Sequence, residues 1–128
     1  MQDGETAAAL GRRLLASAPY IGERSVGSPD ARVLVVEYAS ASCSHCARFR
    51  IGSWPQIRDA YVDTGKVRWI FREFPLDSLA LAAFMLARCM PEEQYFQAID
   101  ILFRTQARWK GPARRKELAR TMRMAGMD

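Results

Sequence analysis

Apolar positions along the chain change period several times, and each change marks an element. Val33-Leu34-Val35-Val36-Glu37-Tyr38-Ala39 is almost continuously apolar and Val-rich. Such a run reads as a strand buried on both faces. Ser28-Pro29-Asp30 before it is a turn signal. Ser40, Ser42 and Ser44 after it offer hydroxyls that can cap a helix. A helix is predicted from about Ser44 to Asp63, kinked at Pro55 and closed by Gly65. Val67–Phe74 reads as a second strand, stopped by Pro75. Strand, helix, strand in that order predicts a right-handed βαβ unit with a parallel pair.

Beyond Pro75 the chain reads as helix. Leu79–Met90 is rich in Ala and Leu, and Pro91-Glu92-Glu93 opens another helix with carboxylates on the positive end of its dipole. Tyr95, Phe96, Ile99, Leu102 and Phe103 share one face. Gly111-Pro112 breaks the chain before a last helix, Arg114–Met124, whose apolar stripe is Leu118, Met122 and Ala125. Residues 4–17 read as a short helix. Arg12-Arg13 followed by Leu-Leu-Ala-Ser-Ala resembles a shortened export signal, but the apolar run falls below the ~7–15 residues of a signal core.

Length and composition narrow the class. A chain of 128 residues makes one domain. With 49% hydrophobic and 26% charged residues, disorder, collagen and coiled coil are excluded as descriptions of the whole. No run approaches the ~18 apolar residues of a membrane span. Three cysteines are too few for a disulfide-built fold, and the odd count leaves at least one thiol without an internal partner. The net charge of +5 is uneven: Arg104 to Asp128 holds eight basic and two acidic residues. This reads as the solvated face of the last helices. No nucleic-acid partner is expected, because no finger or RNA-binding motif accompanies the charge and Trp109 alone is no stacking platform.

The chemistry concentrates in Cys43-Ser44-His45-Cys46, where the first strand gives way to a helix. In that context a CxxC reads as a redox pair. Cys43 falls in the N-cap region, where free backbone N–H groups and the dipole stabilise a thiolate. Cys46 lies one turn later, near enough to close a small disulfide ring. A cationic His45 would add to the thiolate's stability. Glu37 is a carboxylate in an apolar strand, a costly position. A buried acid there has a raised pKa and can pass a proton to or from the resolving thiol. Cys89, on the Ala/Leu helix, reads as a small buried hydrophobe.

Three stretches together carry a family likeness. Val-Glu-Tyr-Ala-Ser-x-x-Cys-x-His-Cys, Asp-Thr-Gly-Lys-Val-Arg-Trp-Ile-Phe-Arg-Glu-Phe-Pro-Leu-Asp and Leu-Ala-Arg-Cys-Met resemble the DsbA-like thiol:disulfide oxidoreductases of bacteria. The resemblance implies an α/β fold, a thioredoxin-like βαβ core with a helical insertion. It implies Cys43 as nucleophile, Cys46 as the resolving thiol, Ser44-His45 as the dipeptide that tunes the potential and Glu37 as the buried acid. It implies no cofactor beyond the Cys43–Cys46 pair and no metal, protein thiols as substrates, a membrane partner that reoxidises the pair, and a periplasmic or exported setting. The expected division is an N-terminal helical segment, 1–23, then the family domain, 24–128, with 76–128 as the helical insert. Members continue into a strand hairpin, entered through a cis-proline facing the CxxC, and a last helix. Here no strand-like run follows Val67–Phe74, so that C-terminal part is expected to be missing. Val33–Ala39 is then left with an unpaired edge, through which a homodimer is expected.

Two other classes fit the same residues. One is a thioredoxin-like module that binds partners without catalysis, favoured by the missing hairpin. The other is a metal-binding module using Cys43, Cys46 and His45. A structural zinc site needs four ligands, and beyond those three only Cys89 offers another soft one.

Overall fold

The computed structural model describes residues 6–17 and 21–128. Helix α1 (Ala7–Ala16) is capped by Thr6, whose hydroxyl accepts the Ala9 N–H. The expected start at residue 4 and the tail of the export-like stretch at Ala18 lie outside the described residues. The strands are β1 (Arg24–Val26), β2 (Val33–Ala39) and β3 (Val67–Glu73). Their order is β1-β3-β2. β2 runs parallel to β3 with Val33 opposite Val67 and Ala39 opposite Glu73, as the βαβ reading requires. β1 is antiparallel to β3 and escaped sequence reading. It has three residues, too few to show a period. Gly27 lets the chain leave it: φ is +100°, and a Cβ there would stand 2.6 Å from the Val67 carbonyl oxygen.

One expectation for β2 fails. Val33 and Tyr38 are exposed and Leu34 to Glu37 only half-buried, so the strand is not buried on both faces. Among the described residues β2 has a single neighbour, and an edge strand covers less of itself than a central one. The central strand is β3, with Ile70 and Phe71 fully buried.

The crossover from β2 to β3 is one helical run, 44–62. It comprises α2 (Ser44–Arg48), a π segment Phe49–Ser53, α3 (Trp54–Ile57) and a second π segment Arg58–Val62. Pro55 has no N–H to return to the preceding turn. The helix answers by widening on either side, with the Trp54 N–H reaching the Phe49 carbonyl, and it continues through the proline. Gly65, at φ +80°, ends the run as expected. Trp54, Val62, Val67 and Trp69 form a small core between this helix and the sheet.

The larger core belongs to the helical insert: α4 (Ser78–Cys89), α5 (Tyr95–Arg104), α6 (Gln106–Trp109) and α7 (Arg114–Met124). Phe71 carries the sheet into it, edge-on to Phe84, Tyr95, Phe96 and Phe103. The buried register of α4 runs Ala80, Ala83, Phe84, Ala87 and on to Met90. Cys89 falls off that register and is exposed, so it is not the buried hydrophobe expected. The basic side chains of α7 face solvent and its stripe, Leu118, Met122 and Ala125, faces the core.

A polar knot ties β3, α4 and α5. The Glu73 carboxylate accepts two bonds from Arg88, at 2.6 and 2.8 Å, and one from the Tyr95 hydroxyl at 2.6 Å. Tyr95 is fully buried, and burial pushes its hydroxyl far above the ordinary tyrosine range. Glu73→Ala leaves a guanidinium and a buried hydroxyl without their acceptor. It is expected to cost about 2–4 kcal/mol of stability, measured by denaturant unfolding, while Glu73→Gln, which keeps one acceptor oxygen, costs less.

Candidate active site

Cys43 stands where the backbone turns from extended to helical, at φ −78° and ψ 120°. Its Sγ accepts the Cys46 N–H at 3.4 Å and fills the place a capping hydroxyl usually takes. The serines expected as caps do other work. Ser40 and Ser42 are buried with their hydroxyls 3.2 Å apart. The Leu76 N–H donates to Ser40 Oγ, and Ser42 Oγ donates to Asp77 Oδ2 at 2.8 Å. Asp77 in turn caps α4 through the Ala80 N–H.

The two thiols are placed in opposite surroundings. The Cys46 backbone N–H is the main influence lowering Cys43 below its ordinary value. Burial opposes it, while the Cys46 thiol, the His45 N–H and the Lys110 ammonium add to it. Burial raises Cys46 above its ordinary value. The Ser40 N–H opposes this, and the neighbouring Cys43 and Glu37 add to it. Both thiols are free.

Glu37 points to the same place from β2. Burial raises its carboxyl above the usual range, against the Trp69 indole N–H, which donates to Oε1 at 3.0 Å, and the charge of Arg50. Glu37, Tyr38, His45, Cys46 and Phe49 line one surface hollow. Three of the four expected site residues thus meet there, and Cys43 adjoins them through Cys46. His45 differs in detail from expectation. Its backbone N–H serves Cys43, and Arg48 Nη2 lies 2.6 Å from its Nδ1. Among the described residues no three His, Cys, Asp or Glu side chains converge as a metal site.

Sequence reading missed two residues of the insert. The Gln106 amide donates to the carbonyls of Ala41 and Cys43, at 2.8 and 2.9 Å. Lys110 Nζ donates to the Ser42 carbonyl at 2.7 Å. The available signal was Gln106 itself, a polar residue one turn after Leu102 on an otherwise apolar face.

A protein-family model described as thioredoxin matches residues 20–127. The chain belongs to this thioredoxin family. Within it, the solved neighbours are DsbA-like. The crystal structure of Wolbachia pipientis alpha-DsbA1 aligns with a TM-score of 0.73 and 35% identity, over 88% of this chain and 56% of that one. A protein-disulfide isomerase from Novosphingobium aromaticivorans aligns with a TM-score of 0.71 and 26% identity, over 83% of this chain and 66% of that one. The Rickettsia bellii protein named "Putative protein-disulfide oxidoreductase" is 34% identical over 94 residues, 73% of this chain and 36% of its own. The chain spans about a third of the length of such curated relatives. The resemblance to the DsbA-like thiol:disulfide oxidoreductases read from the sequence is borne out by these matches.

The opposed surroundings predict an order of reactivity. Cys43 is expected to alkylate first, with its rate titrating below the free-thiol value of about 8.5, and Cys46 above it. Lys110→Met is expected to move the Cys43 titration upward. Mass-resolved alkylation rates against pH check both statements, and faster labelling of Cys46 would reverse the assignment of roles.

Proposed function

We propose that the chain exchanges disulfides with protein substrates through Cys43 and Cys46. The reading rests on one observation above the rest: Cys43 Sγ stands at the open end of α2 and accepts the Cys46 N–H, with Cys46 one turn inside. In the oxidised form, a substrate thiolate attacks Cys43 Sγ and the Cys43–Cys46 bond breaks. The electron pair leaves on Cys46, which takes up a proton. A second substrate thiolate attacks the substrate sulfur of the mixed disulfide and releases Cys43 as thiolate. Two electrons pass from the substrate dithiol to the pair. A stabilised Cys43 thiolate favours the reduced pair, which biases the exchange toward oxidation of the substrate. Equilibration with glutathione mixtures, read as the fraction of dithiol, tests the direction. An absence of exchange with a model disulfide would leave a partner-binding module instead.

Glu37 is the proton carrier in this scheme, because it lines the same hollow as Cys46 and burial raises its carboxyl above the usual range. Ser44 and His45 set the surroundings of the pair. Glu37→Gln is expected to slow resolution of a mixed disulfide by Cys46 about tenfold or more, and its formation by Cys43 far less. Stopped-flow exchange between the reduced chain and a peptide disulfide separates the two steps. Equal slowing of both would remove Glu37 from the mechanism.

The reading extends to the partners the resemblance implies: a membrane-borne oxidant that restores the disulfide, and an exported setting. It also includes a second copy of the chain. Among the described residues no strand lies beside the outer edge of β2, and Val33 and Tyr38 on that strand are exposed. The 128-residue chain is expected to associate through this edge. Light scattering over a concentration series should show mass rising with concentration, and a monomer throughout would remove the homodimer.

A further inference from the structure

Arginine is handled in two ways in this molecule. Arg24, Arg50, Arg58, Arg68, Arg72 and Arg88 each have a carboxylate within ion-pair distance. From Arg104 to Arg123 there are eight basic side chains against one carboxylate, Glu117. All eight are exposed, and among the described residues no salt bridge engages any of them. One of the eight, Lys110, reaches the redox pair and acts on Cys43. Gln106 and Lys110, on and just after α6, hold the carbonyls of Cys43 and Ser42. Arg108 lies between them in sequence and lines a surface hollow with Pro112, Ala113, Glu117 and Arg120. Arg48, beside His45 of the CxxC, adds a further exposed charge.

We propose that the face formed by α6 and α7 next to Cys43 is a docking surface for acidic stretches of protein, so that the preferred substrates carry Asp or Glu beside the reacting cysteine. The inference deepens the exchange reading and rests on it. Nearby carboxylates disfavour the thiolate of a substrate cysteine in water, and a basic rim reverses that effect at the moment of attack. Unpaired surface charge also raises encounter rates with an oppositely charged partner, within the ~10 Å reach that salt allows at 0.1 M. Other anionic partners fit less well. A nucleic acid wants an exposed ring to stack on, and Trp109 is fully buried. An interfacial helix must give its apolar stripe to lipid, and α7 has committed Leu118 and Met122 to the core.

The test uses the full oxidised chain and three peptides, each with one cysteine flanked by Asp, Ser or Lys. Reduction of the Cys43–Cys46 disulfide is timed at low and high ionic strength. Each rate is divided by that of the same peptide with a small-molecule disulfide, which removes the peptide's own thiol reactivity. The acidic peptide is expected to outpace the uncharged one by ~3–10-fold at low salt and the Lys peptide to lag, with the spread closing at high salt. In the Arg108→Gln/Arg120→Gln double variant the acidic preference should fall towards one. A wild-type ratio of one, or a preference the double variant keeps, overturns the proposal. So does retention on anionic vesicles that the variant loses while peptides are not discriminated. If the uncharged peptide is not oxidised by the wild-type chain either, the exchange reading itself falls, and this inference with it.

Discussion

Residues 40–43 leave the sheet and do not yet belong to a helix, so most of their polar groups need partners from elsewhere. The insert supplies them: the Gln106 amide for the carbonyls of Ala41 and Cys43, the Lys110 ammonium for that of Ser42, and Asp77 for the Ser42 hydroxyl. Ser40 is fixed by the Leu76 N–H. An unpaired buried backbone group is expensive, so these bonds fix where α2 begins. Where α2 begins fixes which thiol sits at its open end. The 60-odd residues between Cys43 and Gln106 in sequence bring the insert back over the loop through the large core that Phe71 shares with Phe84, Phe96 and Phe103.

The difference between the thiols follows from that one placement. Cys43 meets backbone N–H groups that nothing else in the helix can use. Cys46, one turn inside, meets Ala/Leu packing and the carboxyl of Glu37 instead. Glu37 is tolerable on β2 because it has a hydrogen-bond partner and an opening to the surface. Its oxygen takes the Trp69 indole N–H, and the hollow beside Cys46 leaves it a route for exchange with water.

Local signals were legible in the sequence, and those of long range were not. The bounds of β2, the cap at Gly65, the break at Gly111-Pro112 and the last helix all rest on residues within a few positions of each other, and all are present. The capping role of Cys43 was readable for the same reason. By contrast, β1 exists because Arg24 to Val26 meet Phe71 to Trp69, more than forty residues on. The half-exposure of β2 depends on what stands beside it, which its own apolar run cannot state. Gln106 and Lys110 act on carbonyls more than sixty residues away. Cys89 escapes its pattern because the helix is apolar on more than one side, and only packing shows that the buried register ends at Met90.

The charge of the molecule has the same logic. A guanidinium can enter the interior only with its partners in place. Arg50, almost wholly buried, meets Asp100 at 2.7 Å and lies over the rings of Trp54, Phe71 and Phe96. Arg72 bridges β3 to the end of α1, bonding the Leu14 carbonyl, the Tyr38 hydroxyl and Glu23. Arg88 takes Glu73. Glu23, Glu73 and Asp100 are thus occupied within the fold, and between Arg104 and Arg123 the sequence holds one carboxylate, Glu117. The net charge of +5 is therefore a property of one face. That face belongs to the insert whose side chains hold the loop before Cys43, so fold geometry and electrostatics converge on the same sulfur.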